Sequence, residues 1–204
     1  MIKYVTNNFQ ADSIIQAVNI QLKEIEKGFL STLGENALKL IFKHIAFNRW
    51  GIMVLAKDSS SDKVIGYILG TTSSFQLYRD FLIKKFPLII VHFLPSLLSF
   101  RRIKKAIETL RYPVKKLPDN LPTAELLDLA VDSTYHGKGV AHGLFLRLCD
   151  EFRKRGINSF KIPTGASLTR AHRFYEKMGA TKVCDFELHS GEKTIIYVYT
   201  YDLI

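Results

Sequence analysis

At 204 residues, 47% of them hydrophobic, the chain suits one domain with a substantial core. Its formal charge of +10 favours polyanionic or phosphorylated partners. Its two cysteines, Cys149 and Cys184, argue against a disulfide framework and for a reducing cytoplasm.

Residues 1–13 lack the apolar core of a signal peptide, and no uncharged apolar run reaches the ~18 residues of a spanning helix. Ile2 to Val5 reads as a first strand. Asp12 is expected to cap a helix carrying Ile14, Ile15, Val18, Leu22 and Ile25, which Gly28 closes. A second helix is expected from about Glu35 to Phe47, with Leu38, Ile41, Phe42 and Ile45 inward. Ile52–Lys57 and Val64–Thr71 read as two strands joined by the polar turn Asp58 to Asp62.

Residues 73–123 come next. Phe75, Leu77, Tyr78, Phe81 and Leu82 suggest a helix, and Phe86 to Phe100 is almost wholly apolar. Ile103, Ala106, Ile107 and Leu110 then fall at helical spacing opposite Arg101, Arg102, Lys104, Lys105, Glu108 and Arg111. Pro113, Pro118 and Pro122 mark an irregular return. Such a segment is too apolar for a solvated loop, so a helical insertion is expected.

From Ala124 to Gly156 the pattern sharpens. Leu126, Leu127, Leu129, Ala130 and Val131 form a short apolar run, as in a strand covered on both faces. Glu125 opens this strand and is expected to share a face with Leu127 and Leu129, with Asp128 on the opposite one. A polar loop leads to Gly137-Lys138-Gly139, and from Val140 the apolar residues return with helical period through Leu144, Leu148 and Phe152. A glycine-rich turn at a helix start can hold a phosphate, because the first N–H groups lack helical partners and the dipole is positive there.

Three phosphate-binding patterns compete for this turn. The nucleoside-triphosphate loop fails because Gly139 follows Lys138 where Ser or Thr is required. The dinucleotide fingerprint fails because its last glycine is His142. The pattern [QR]-x-x-G-x-[GA] fits His136 to Ala141 except at its first position, where His stands for Gln or Arg. After one more strand, Asn158 to Pro163, comes Ala171-His172-Arg173-Phe174-Tyr175-Glu176-Lys177-Met178-Gly179-Ala180. That stretch resembles A-x-x-[FL]-Y-E-K-x-G-F, departing at Ala180. Two motifs in this order make residues 124–180 resemble the GNAT N-acetyltransferases. Thr181–His189 and Lys193–Asp202 then read as the closing hairpin, as that family would have it.

The resemblance implies a single α/β domain over 1–204: a mixed, largely antiparallel sheet flanked by helices, with 73–123 inserted between the third and fourth strands. It implies acyl transfer, with acetyl-CoA or another acyl-CoA as co-substrate and a primary amine as acceptor. An anionic amine such as a nucleotide-linked amino sugar would suit the positive field. The pyrophosphate would lie on His136, Gly137, Lys138, Gly139, Val140 and Ala141, and the pantetheine arm along Leu129, Ala130 and Val131. Lys138 either adds charge at the phosphates or is a solvated lysine. Tyr175 stands where the family often has the acid that protonates the leaving thiolate; the bland alternative is a ring packed beside Phe174. Glu125 is the candidate general base, with Asp128 its rival. No cysteine–histidine spacing suggests a metal.

The insertion is expected to cover the acceptor side as a lid, or else to serve as extra core or a homodimer patch. Its basic stretch also motivates a rival function: a non-catalytic GNAT-fold protein holding a membrane surface or nucleic acid.

Overall fold

Strand and helix alternate as the hydrophobic periods require, and the computed structural model describes residues 1–25, 30–97, 118, 120–189 and 192–201. In chain order these form β1 (Ile2–Val5), α1 (Ala11–Glu24), α2 (Glu35–Phe47), β2 (Gly51–Asp58) and β3 (Val64–Thr71). Then come α3 (Ser74–Leu97), β4 (Glu125–Val131), α4 (Val140–Lys154), β5 (Ser159–Gly165), α5 (Thr169–Lys177), β6 (Thr181–His189) and β7 (Glu192–Thr200). One seven-stranded sheet results, in the order β1-β2-β3-β4-β5-β7-β6. Every junction is antiparallel except β4–β5.

The continuous apolar runs of β2 and β3 follow from burial on both faces. On one face α1 and α2 bring Ile14, Val18, Leu38 and Phe42 against Leu55 and Tyr67. On the other, α4 lays Val140, Leu144, Phe145, Leu148 and Phe152 over Ile68 and Phe160. Phe145 and Phe152 are fully enclosed, and burying such rings contributes ~2–3 kcal/mol each. Gly70 admits this packing: a Cβ there would meet Leu148 Cδ1 at 2.7 Å and Phe152 Cζ at 3.1 Å.

Two sequence expectations change. Asp12 is not the cap of α1. The cap is Gln10, without a side-chain bond, and Asp12 sits in the first turn, where it accepts from Gln16 Nε2 at 2.5 Å. There its charge still favours the positive helix end. The expected closure at Gly28 lies outside the described residues. Second, the first part of the insertion is one continuous helix, α3, running through Pro87 and Pro95. Its start packs on α2, with the Phe81 ring edge-on to His44 at 5.0 Å and Asn48 donating to Asp80 at 2.6 Å. The basic helical stretch expected around Ile103 to Arg111 lies outside the described residues. Among the described residues, no helix is long and apolar enough to cross a membrane.

Candidate active site

The site begins where the sheet stops pairing. Lys161 N–H donates to Ala124 O at 3.0 Å, joining β5 to the foot of β4. Glu125 opposite Lys161 is the one register pair of that junction. Amides along a strand alternate in direction, so the next one facing β4 belongs to residue 163. That residue is a proline, with no N–H to give. The ladder ends there, and a gap opens between β4 and β5.

Main-chain groups line this gap. Asp132 N–H donates to Ile65 O across β3, so by alternation Leu129 and Val131 turn their amides and carbonyls the other way, towards the gap. The Leu129 amide is taken by Asp128 Oδ1 at 2.8 Å and the Val131 carbonyl by His136 Nε2, so Leu129 O and Val131 N–H are what an extended, amide-bearing ligand would find there.

At the end of β4, Gly137 and Gly139 adopt φ of +77° and +76°, and a Cβ at either would meet nothing within 4 Å. Above them is open space that a side chain would fill. Among the described residues, no carbonyl or side chain accepts from the N–H groups of Gly137, Gly139, Val140, Ala141 or His142. These donors and the N-terminus of α4 fit a diphosphate. Lys138 is held over the ring of Tyr135, its Nζ 4.7 Å from the centroid. His136 Nε2 lies 2.8 Å from Val131 O, and a carbonyl only accepts, so Nε2 carries the proton.

The carboxylates are placed by a bulge. Leu69 pairs with Asp128 and Gly70 with Leu126, so Leu127 is an extra residue in β4. The strict alternation expected from sequence therefore fails. Asp128 lies on the same face as Glu125, because their partners Leu69 and Thr71 are two apart on β3. Both carboxylates face the α1–α2 layer, and Asp128 Oδ2 lies 3.1 Å from the Tyr67 hydroxyl. Burial raises the Asp128 pKa to about 6, against the restraining bonds from Tyr67 and the Leu129 amide.

Glu125 has a different setting. It is 4% exposed, accepts from Ser74 Oγ at 2.5 Å, and has Lys161 Nζ 3.5 Å from its Oε2. Lys161 also donates to Pro122 O at 2.8 Å. This buried pair thus clasps the start of α3 at Ser74 and the chain returning to β4. Sequence reasoning missed Lys161, whose signal was a lone lysine inside an apolar strand.

Tyr175, on α5, is 6% exposed and packs against Phe145, Phe174 and Tyr197. Its hydroxyl makes no hydrogen bond among the described residues. Burial, then the charge of Asp128, push its pKa above the ordinary phenol value. Next to it, His172 Nε2 donates to Gly165 O at 3.0 Å and its Nδ1 lies 3.0 Å from the Tyr197 hydroxyl, so this histidine braces α5.

A model of the acetyltransferase (GNAT) family matches residues 21–180. No curated protein matches the sequence. Among solved structures, SsHAT superposes with a TM-score of 0.69 at 15% identity, over 97% of this chain and 98% of that one. The PaiA N-acetyltransferase of Thermoplasma acidophilum, in complex with coenzyme A, gives 0.60 at 15% identity over 98% and 99%. The ribosomal-protein-S18-alanine N-acetyltransferase of Escherichia coli gives 0.55 at 15% identity over 100% and 96%.

Proposed function

This chain belongs to the acetyltransferase (GNAT) family, an acyl-CoA-dependent N-acyltransferase with acetyl-CoA as co-substrate, and we propose that its acceptor is a small anionic molecule bearing a primary amine. A nucleotide-linked amino sugar is the type. The observation that supports this reading is the bulge that turns Asp128 to the same face as Glu125, on the part of β4 beyond its one register pair with β5. Acyl transfer to an amine needs a base for the amine and an acid for the leaving thiolate, the roles given to Asp128 and Tyr175.

The thioester supplies the acyl group. Asp128, with a pKa of about 6, takes the amine proton as nitrogen bonds to the acyl carbon. Tyr175 holds a proton at its hydroxyl for the sulfur as the carbon–sulfur bond breaks; burial keeps that phenol protonated until then. Glu125 is the second candidate base, but its contacts with Ser74 and Lys161 support a clasping role. The charge of +10, concentrated between Arg79 and Lys116, supports an anionic acceptor.

The test is release of free thiol from acetyl-CoA over a panel of amines, matched in size and differing in charge. Faster turnover of anionic amines, measured as kcat/KM, is expected. Equal use of neutral and anionic amines would remove the acceptor class. No amine-dependent release at all would point to the binding-only alternative.

A further inference from the structure

The loop departs from its pattern at the first position, where His136 stands for Gln or Arg. A neutral imidazole brings no charge to a diphosphate. The fold delivers a cation to that point from elsewhere. Arg170, in the first turn of α5, places Nη1 3.3 Å from His136 Nδ1. The Val131 carbonyl holds the His136 proton on Nε2, so the neutral ring offers Nδ1 to Arg170 as an acceptor. His136 therefore works as a bracket, tied to the end of β4 at one nitrogen and to α5 at the other.

Arg170 has no other use in the described structure. It is exposed and makes no ion pair there, so the remaining donors of its guanidinium fork are uncommitted. An unpaired guanidinium beside free backbone amides is suited to two phosphate oxygens at once. Lys138, by contrast, already rests on Tyr135.

We propose that Arg170 binds the diphosphate of coenzyme A, supplying from α5 the charge that the loop's first position lacks. This rests on the coenzyme A reading of the loop, and the test separates the two. Wild type, Arg170→Gln and the double variant His136→Arg/Arg170→Gln are titrated by calorimetry with coenzyme A, dephospho-coenzyme A and pantetheine. Arg170→Gln should weaken coenzyme A and dephospho-coenzyme A alike, by about tenfold, the loss expected for one charge-assisted contact of ~1.4 kcal/mol. Pantetheine, which has no phosphate, should bind unchanged. Writing Arg at position 136 should restore most of the loss. Arg147→Gln, which removes an equal charge on α4, should cost less than twofold.

Unchanged coenzyme A affinity in Arg170→Gln overturns the proposal, as does a loss confined to coenzyme A, which would place Arg170 at the 3′-phosphate. Failure of the His136→Arg rescue also counts against it. If wild type binds no coenzyme A, the loop reading itself falls. Thermal unfolding checks that Arg170→Gln stays folded.

Discussion

The Tyr67 hydroxyl stands between two acceptors, 3.1 Å from Asp128 Oδ2 and bonded also to Gln21 Oε1. It has one proton for both. Gln21 is oriented by its other end, Nε2 donating to Ser31 Oγ at 3.3 Å, and Ser31 donates in turn to Ile25 O at 2.6 Å. Buried competition of this kind sets how firmly the ionised Asp128 is held.

Opposite shifts are therefore expected from two substitutions. Tyr67→Phe removes a donor from the ionised carboxylate, so the acidic limb of the pH–rate profile should move above pH 6. Gln21→Met frees the Tyr67 proton for Asp128 alone, and the limb should move below it. Profiles of kcat/KM for the two variants and wild type check this. If neither moves, Asp128 is not the titrating base.

Stability should follow the same group with the opposite benefit. The Asp128 pKa is higher folded, about 6, than its ordinary 3.8, so the native state binds the extra proton. Its contribution is intact below pH 4 and declines as pH rises through 6, by on the order of 2–3 kcal/mol. Asp128→Asn should be more stable than wild type at pH 8 and nearly equal to it at pH 4. Urea unfolding at both values is the measurement.

What could be read from the residues divides along clear lines. The glycine turn, α4 and the α5 motif were legible because local patterns dictate them. The face of Asp128 was not. Alternation puts residues three apart on opposite faces, and only pairing with β3 reveals the bulge at Leu127. Arg170 was hidden for a related reason: His136 and Arg170 meet only after β5 folds between them. Pro163 could have been read further, since a proline in a strand marks an unpaired side.

The Glu125–Lys161 clasp makes a stability prediction. Lys161→Met removes the ammonium 3.5 Å from the buried Glu125 carboxylate and frees Pro122 O, so a loss of ~3 kcal/mol is expected. Adding Glu125→Leu should recover part of that loss, because the buried carboxylate goes with its partner. Denaturant midpoints of the single and double variants measure the cycle. A loss under ~1 kcal/mol for Lys161→Met would mean the pair is solvated.

Gly139→Asp should separate folding from binding. The position has φ of +76°, so a side chain there is strained by ~1 kcal/mol, yet it meets no atom within 4 Å. A carboxylate in that open space repels a diphosphate. Acetyl-CoA affinity should fall at least ~100-fold while the melting temperature drops by only a few degrees. Calorimetry on the folded variant decides it.

Tyr175→Phe tests whether the hydroxyl acts or merely fills space. Among the described residues the Tyr175 hydroxyl makes no hydrogen bond, and burying it so costs folding energy, so its removal should leave stability unchanged or raise it by up to ~1 kcal/mol. The ring contacts with Phe145 and Phe174 remain in the variant. If Tyr175 carries the proton to the departing sulfur, kcat should fall by about 100-fold with acetyl-CoA affinity unchanged. Thioesters with a more acidic thiol need that proton less, so the defect should shrink with them. A stable variant with wild-type kcat would reduce Tyr175 to a packing residue and leave the acid to be sought elsewhere around the gap.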